Sequence, residues 1–192
     1  MRHVWHVANA FEADGRVYVD LSTEVPGDEL AKRASSDIKS SVSRFLRYEL
    51  DLEKGTAVEL TDLSGAEEDF ATVNPRYWGR PYNFFWAVRW LRHDGRTIIV
   101  KHDISAGAAT PWQVPESLSA SEPVFVPAPG AGRGEDDGVL LVPVLDGADE
   151  SSALLVLNAT TMRPVARLRA PVVMNQGLHN LWVDPAPLSQ GN

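Results

Sequence analysis

Apolar and polar residues alternate with a period of two along much of this chain. Within 17–22, valine and leucine alternate with tyrosine, aspartate and serine, and a similar alternation occupies 45–50. A period of two sends successive side chains to opposite faces of a β-strand. Turn-forming residue pairs at 14–15, 54–55 and 94–95 separate such runs. The pattern predicts three β-hairpins, which pair 4–12 with 16–23, 44–52 with 56–63, and 83–92 with 96–104.

The second half of the chain contains short runs of consecutive apolar residues. Such runs predict strands that are buried on both faces. The stretch 26–33 favours a helix, with Asp28 as its N-cap. Roughly ten short strands joined by hairpins leave a sandwich, a closed barrel and propeller blades open as architectures. The predicted strands of the second half are 123–127, 138–144, 153–157 and 165–168.

Charge and composition limit the binding partners that this chain can have. The 192 residues carry 18 Lys and Arg against 26 Asp and Glu, for a net charge of −8. This charge repels phosphate backbones and anionic lipid, so nucleic acid is excluded and membrane association is at most peripheral. The chain has no cysteine, which fits a reducing cytoplasmic location. A transition-metal site would therefore use imidazole, with or without carboxylate.

Several common catalytic signatures are missing. The chain has no glycine-rich dinucleotide or P-loop motif, no Gly-x-Ser-x-Gly and no His-Glu-x-x-His. Dinucleotide oxidoreductases, P-loop nucleotidases, α/β-hydrolases and zincins are thus poor matches. Histidine is the remaining candidate for metal chemistry.

The five histidines differ in their surroundings. His3 and His6 are three residues apart on a predicted strand, so without a bulge they face opposite ways and do not bind one ion. His93 in a turn and His102 on a strand are expected to be structural or solvated. His179 has apolar neighbours on both faces of a predicted strand, which favours a hydrogen-bonded core histidine.

Five segments, in order along the chain, resemble the motifs of the carotenoid cleavage oxygenases. The first reads Trp-His-Val-Ala-Asn-Ala-Phe-Glu and is similar to the family's Phe-His-x-x-Asn-Ala-x-Glu. The last reads Gly-Leu-His-Asn-Leu-Trp and is similar to its Phe-His-Gly-Leu-Phe. Together they extend over nearly the whole chain. The five segments are 5–12, 73–82, 121–127, 135–141 and 177–182.

The resemblance implies a seven-bladed β-propeller in which four histidines bind Fe(II) and three glutamates hold three of the rings. By position, His6 and His179 are the third and fourth ligands, and Glu122 is one of the carboxylates. Asp69 stands where the family has a glutamate, so a longer or water-bridged bond to His6 is expected. Two further departures, Trp5 and Asn180 beside the ligand positions, are expected to crowd the site.

The matched motifs belong to the C-terminal part of the family. We therefore expect 1–192 to form the C-terminal blades of a partial propeller, with the other two histidines upstream or on a separate N-terminal half. The implied activity is a non-haem Fe(II) dioxygenase that uses dioxygen to cleave a conjugated double bond of a carotenoid, apocarotenoid or stilbene. A catalytically silent β-sheet binding module and a gene remnant are the alternatives. Two imidazoles alone make a poor Fe(II) site, so weak iron binding by this polypeptide alone is expected.

Overall fold

Three antiparallel β-sheets make up nearly all the regular structure of the computed structural model, which describes residues 3–26, 41–91, 96–130, 133–175 and 177–183. The first sheet has the order β1-β2-β3-β4. Its strands are β1 Val4–Ala13, β2 Arg16–Pro26, β3 Ser41–Asp51 and β4 Thr56–Asp62. Within the described residues, no helix is long and apolar enough to cross a membrane.

The second and third sheets repeat this meander. The second has the order β5-β6-β7-β8, and a single 3-10 turn, Pro75–Tyr77, links its first two strands. Its strands are β5 Glu68–Val73, β6 Phe84–Leu91, β7 Arg96–Asp103 and β8 Ala108–Gln113. In the third sheet, two short strands, β9 and β10, pair with the same strand β11. The strands are β9 Leu118–Ala120, β10 Val124–Pro127, β11 Gly138–Asp146, β12 Ser151–Asn158 and β13 Pro164–Arg169.

The second sheet lies between the other two, and each junction has its own hydrophobic core. Phe45 of the first sheet packs on Phe85 of the second, with ring centroids 4.7 Å apart. On the other side Trp86 stacks on Phe125 of the third sheet at 4.6 Å. Successive residues of β6 thus point into the two cores, as the period of two requires. This is the face-to-face stacking of four-stranded propeller blades.

An ion pair within the first sheet also accepts a hydrogen bond from Tyr82, which precedes β6 of the second sheet. Arg47 donates two hydrogen bonds of 2.7 Å to the carboxylate of Asp20, and the Tyr82 hydroxyl donates a third of 2.6 Å. Burial and the Asp20 charge raise the pKa of Tyr82 well above its ordinary value of 10.0. The first strands of the sheets also meet, since β5 packs against both β1 and β10. Side chains at their ends therefore converge.

The structure confirms the all-β prediction, the partial propeller and the three hairpins. The turn at 92–95, with His93, lies outside the described residues, as does the predicted helix at 26–33 except Pro26, which ends β2. The prediction of burial on both faces is wrong for β11 and β13. β11 alternates between buried and half-buried residues, and β13 is exposed because it is the outer edge of its sheet.

Candidate metal centre

His6 lies on β1 and is held by a carboxylate from β5. A β-bulge between Val4 and His6 interrupts the pairing with β2. The Nδ1 atom of His6 is 2.7 Å from Oδ1 of Asp69, and 27% of the His6 side chain is exposed. The expected long or water-bridged contact is therefore wrong, because the shorter carboxylate reaches the ring directly.

A second bulge explains why aspartate reaches His6. Between Asp69 and Thr72, β5 has one residue more than the opposite stretch of β6. Phe70 lies in this bulge with a φ of 52°, in the left-handed region that bulky residues rarely adopt. Its main-chain N–H donates to Oδ1 of Asp69 at 2.8 Å. Strained backbone of this kind is concentrated at functional sites.

Glu68 points to the face of β5 opposite Asp69, as expected for alternating side chains. It is fully buried, and its Oε1 accepts a 2.7 Å hydrogen bond from Nε of Arg89. Its Oε2 is 2.7 Å from Nε2 of His102, whose ring stacks on Phe85 at 4.4 Å. His102 is therefore structural, as predicted. No local pattern in the sequence indicates this network, since only strand pairing brings its members together.

His179 lies on an irregular segment and not on a strand. Residues 177–183 belong to none of the sheets, and 67% of the His179 side chain is exposed. Its prediction as a hydrogen-bonded core histidine is wrong, because the apolar neighbours that suggested burial, such as Leu178 and Leu181, are themselves exposed. The Nδ1 atom of His179 is 3.4 Å from Oε2 of Glu122. This is an ion-pair distance rather than a short hydrogen bond.

Asn180 makes two hydrogen bonds to Glu122. Its main-chain N–H donates to Oε2 of Glu122 at 2.9 Å, and its side-chain amide donates to the Glu122 carbonyl at 3.0 Å. Burial raises the pKa of Glu122, and the Asn180 N–H, His179 and His6 partly offset this rise. The other unusual residue, Trp5, is half exposed and packs against His3 at 4.4 Å.

The two histidine–carboxylate pairs meet at the converging strand ends. The ring centroids of His6 and His179 are 5.2 Å apart, at an angle of 74°. Both rings line a cavity of about 480 Å³ with aromatic walls that include Phe70 and Trp90. Among the described residues, no group of three or more His, Cys, Asp or Glu is placed to hold a metal ion. The chain thus presents a pair of imidazoles rather than a full ligand set.

The donor chemistry of the two pairs fits a transition-metal ion. In each pair Nδ1 faces a carboxylate, which leaves Nε2 for coordination, the usual division in metal-bound histidines. Imidazole nitrogen is a ligand that transition metals accept.

The fold and this geometry define a β-propeller class with a pair of histidines where its sheets meet, and comparison with known proteins gives the family. The family model described as RPE65, Retinal pigment epithelial membrane protein, matches residues 2–184. The chain belongs to this family, which comprises the carotenoid oxygenases. The resemblance of the five motifs is thereby confirmed.

Two of the similar proteins are named as dioxygenases. Torulene dioxygenase of Fusarium fujikuroi is 31% identical over 160 residues, which cover 77% of this chain and 27% of that protein. Beta,beta-carotene 15,15'-dioxygenase of Mus musculus is 34% identical over 115 residues, 59% of this chain and 20% of that protein. The chain thus spans about a quarter of the length of these relatives.

Solved structures agree in fold. A variant of the Synechocystis apocarotenoid oxygenase superposes with a TM-score of 0.80 at 26% identity, over 95% of this chain and 40% of that one. The cobalt-substituted form of the same enzyme gives a TM-score of 0.79 at 26% identity, with the same coverage of both chains. That relative therefore accepts cobalt.

Proposed function

We propose that this chain provides half of the metal centre of a non-haem Fe(II) dioxygenase. The reaction is cleavage of a conjugated double bond of a carotenoid, apocarotenoid or stilbene by dioxygen, giving two carbonyl products. The observation that carries the proposal is the meeting of the His6–Asp69 and His179–Glu122 pairs, with ring centroids 5.2 Å apart. Membership of a family whose named relatives are carotenoid dioxygenases supports it.

The roles of the residues follow from the contacts. Nε2 of His6 and of His179 are the ligand atoms. Asp69 accepts the Nδ1 proton of His6, which fixes the ring tautomer and increases its basicity, and Glu122 acts in the same way on His179. When bound, Fe(II) activates dioxygen next to the substrate alkene. The other two imidazoles come from an N-terminal portion of the family fold, on the same or a separate chain.

The cavity beside the two histidines suits an apolar conjugated substrate. Its lining includes the rings of Trp5, Phe70 and Trp90. Flat aromatic faces bury large apolar area and stack on conjugated systems. The ring centroid of Phe70 is 4.8 Å from that of His6 and 6.3 Å from that of His179. Phe70 thus lies close to both ligand rings.

The test compares this chain alone with this chain plus an N-terminal polypeptide of the family that carries the other two histidines. We expect weak Fe(II) binding and no turnover from the chain alone, and recovery of both in the mixture. In the mixture, His6→Ala and His179→Ala should each abolish product formation. His3→Ala is the matched control, since His3 is an exposed histidine that directly precedes the same strand.

Tight stoichiometric Fe(II) in the chain alone would contradict the shared centre. Full activity of the His6→Ala variant in the mixture would contradict the ligand role. If an apolar ligand binds the chain unchanged after both histidines are replaced and the mixture shows no turnover, the silent binding module replaces the enzyme as the explanation.

A further inference from the structure

The segment that carries His179 lacks the support of strand pairing. After β13 ends at Arg169, residues 171–175 and 177–183 belong to no sheet. One anchor lies near its start, where Ser152 Oγ accepts from the main-chain N–H of Met174 at 2.9 Å and donates to its carbonyl at 3.1 Å. A second anchor lies at Asn180. The position of His179 depends on these contacts.

The Asn180 anchor engages the residue that faces His179. Its side-chain amide reaches the carbonyl of Glu122 at 3.0 Å, while its main-chain N–H reaches the carboxylate of the same residue at 2.9 Å. The carboxylate oxygen that accepts this N–H, Oε2, is also the one 3.4 Å from Nδ1 of His179. The two donors of Asn180 thus hold the backbone and the side chain of Glu122 against the segment.

We propose that Asn180 is a positioning residue whose side-chain amide holds the His179 segment beside Glu122. The metal-binding consequence rests on the proposed function, because it takes His179 as a ligand. The family motif that this segment resembles usually has glycine at this position. Glycine keeps the main-chain N–H but lacks the amide, and it allows the backbone more conformations. Asn180 therefore adds a constraint to a segment that lies outside the sheets.

Two substitutions remove the amide donor in different ways. Asn180→Gly deletes the side chain and introduces the residue usual in the family. Asn180→Asp keeps the size and shape but replaces the donor with an acceptor, which cannot bond to a carbonyl oxygen. The matched control is Asn158→Gly, since the Asn158 side chain also makes a local hydrogen bond in the third sheet, where it accepts from the N–H of Thr161 at 2.8 Å. The control reports the effect of a general loss of stability.

The first measurement is hydrogen exchange of the metal-free chain at 177–183. Loss of one hydrogen bond predicts about three- to tenfold faster exchange of the main-chain N–H at position 180 in both variants, relative to each residue's unprotected rate. The Asn158→Gly control should leave this amide unchanged. Equal exchange in the wild type and both Asn180 variants would overturn the proposal, as would an equal acceleration in the control.

The second measurement is a Co(II) titration of the same proteins. We expect about three- to tenfold weaker binding by both Asn180 variants, again from the loss of one hydrogen bond, and no change in the control. Unchanged Co(II) affinity together with faster exchange would overturn the effect on metal binding. If the wild-type chain binds no Co(II) even with the N-terminal polypeptide added, the proposed function fails, whereas the exchange measurement still decides whether Asn180 holds the segment.

Discussion

The two histidines of the centre have the same kind of partner but very different support. His6 sits on a paired strand, makes a 2.7 Å contact with Asp69 and has 27% of its side chain exposed. His179 sits on an irregular segment, 3.4 Å from Glu122, with 67% exposed. One half of the centre is thus built into the sheets, and the other is attached to them by side-chain hydrogen bonds. Preorganisation of a metal ligand depends on this support as well as on the partner.

Buried contacts on the other face of β5 stabilise the strand that carries Asp69, the partner of His6. Glu68, next to Asp69, bonds to Arg89 on the neighbouring strand β6 and to His102 on β7. No residue of segment 177–183 has comparable burial, since the described residues there are exposed or half-buried. The comparison can be tested by weakening each half in turn.

The largest effect is expected from removal of the buried carboxylate. Glu68→Ala leaves Arg89 and His102 without their partner inside the second sheet. Removing one member of a buried pair costs about 3–5 kcal/mol. Urea unfolding should therefore show a fall of that size in the free energy of unfolding.

Glu116→Ala is the matched control for this variant. The Glu116 side chain is 85% exposed and 3.5 Å from Arg96, and such exposed pairs contribute about 0–1 kcal/mol. Similar losses in the two variants would show that the Glu68 network does not support β5.

The next effect concerns the partner of His6. Asp69→Ala removes the carboxylate that orients the ring, and loss of such a partner typically weakens metal affinity by about 10- to 100-fold. A Co(II) titration with the N-terminal polypeptide present measures this. Asp103→Ala, which removes an exposed turn carboxylate bonded to Ser105, should change the affinity little. An Asp69→Ala variant as tight as this control would remove the distinction between the two halves.

A smaller effect is expected from the partner of His179. Glu122→Gln retains an oxygen that accepts the Asn180 N–H but removes the charge facing His179. Because the contact is 3.4 Å long, we expect a loss of less than about threefold in Co(II) affinity. A loss as large as that of Asp69→Ala would mean that both carboxylates hold their rings equally.

The smallest effect is a pH dependence of stability. Burial raises the pKa of Glu122 above its ordinary value of 4.5, so the folded chain keeps this proton to higher pH than the unfolded chain. The contribution of protonated Glu122 to the free energy of unfolding is fully present below about pH 4.5. It is lost as the pH rises through the raised pKa of Glu122. Glu122→Gln should remove this slope from unfolding curves measured across that range. A slope that persists unchanged would assign it to another group.

The local pattern predicted the three hairpins but not the strands β8 and β9. The alternation and turns that define β1 with β2, and β3 with β4, are properties of consecutive residues, and the structure has these hairpins. β8 lacks alternation, is mostly exposed and is held by pairing to β7, so its sequence carries little signal. β9 has only three residues.

The candidate site shows the same division. The motif resemblance identified His6, His179, Asp69 and Glu122, and the structure brings these four together. The resemblance did not indicate the direct contact between Asp69 and His6, which depends on the bulge at Phe70. The exposure of His179 was also missed, because a period of two looks the same in an irregular segment as in a strand.

The sequence by itself determined the all-β class, the main hairpins and the family, because alternation, turn residues and motifs are local along the chain. The tertiary structure decided how the carboxylates meet the rings. Asp69 is 63 residues from His6, and its reach depends on the packing of β5 against β1 and on one extra residue in a bulge. Contacts between residues so far apart depend on register and packing, which no local pattern specifies.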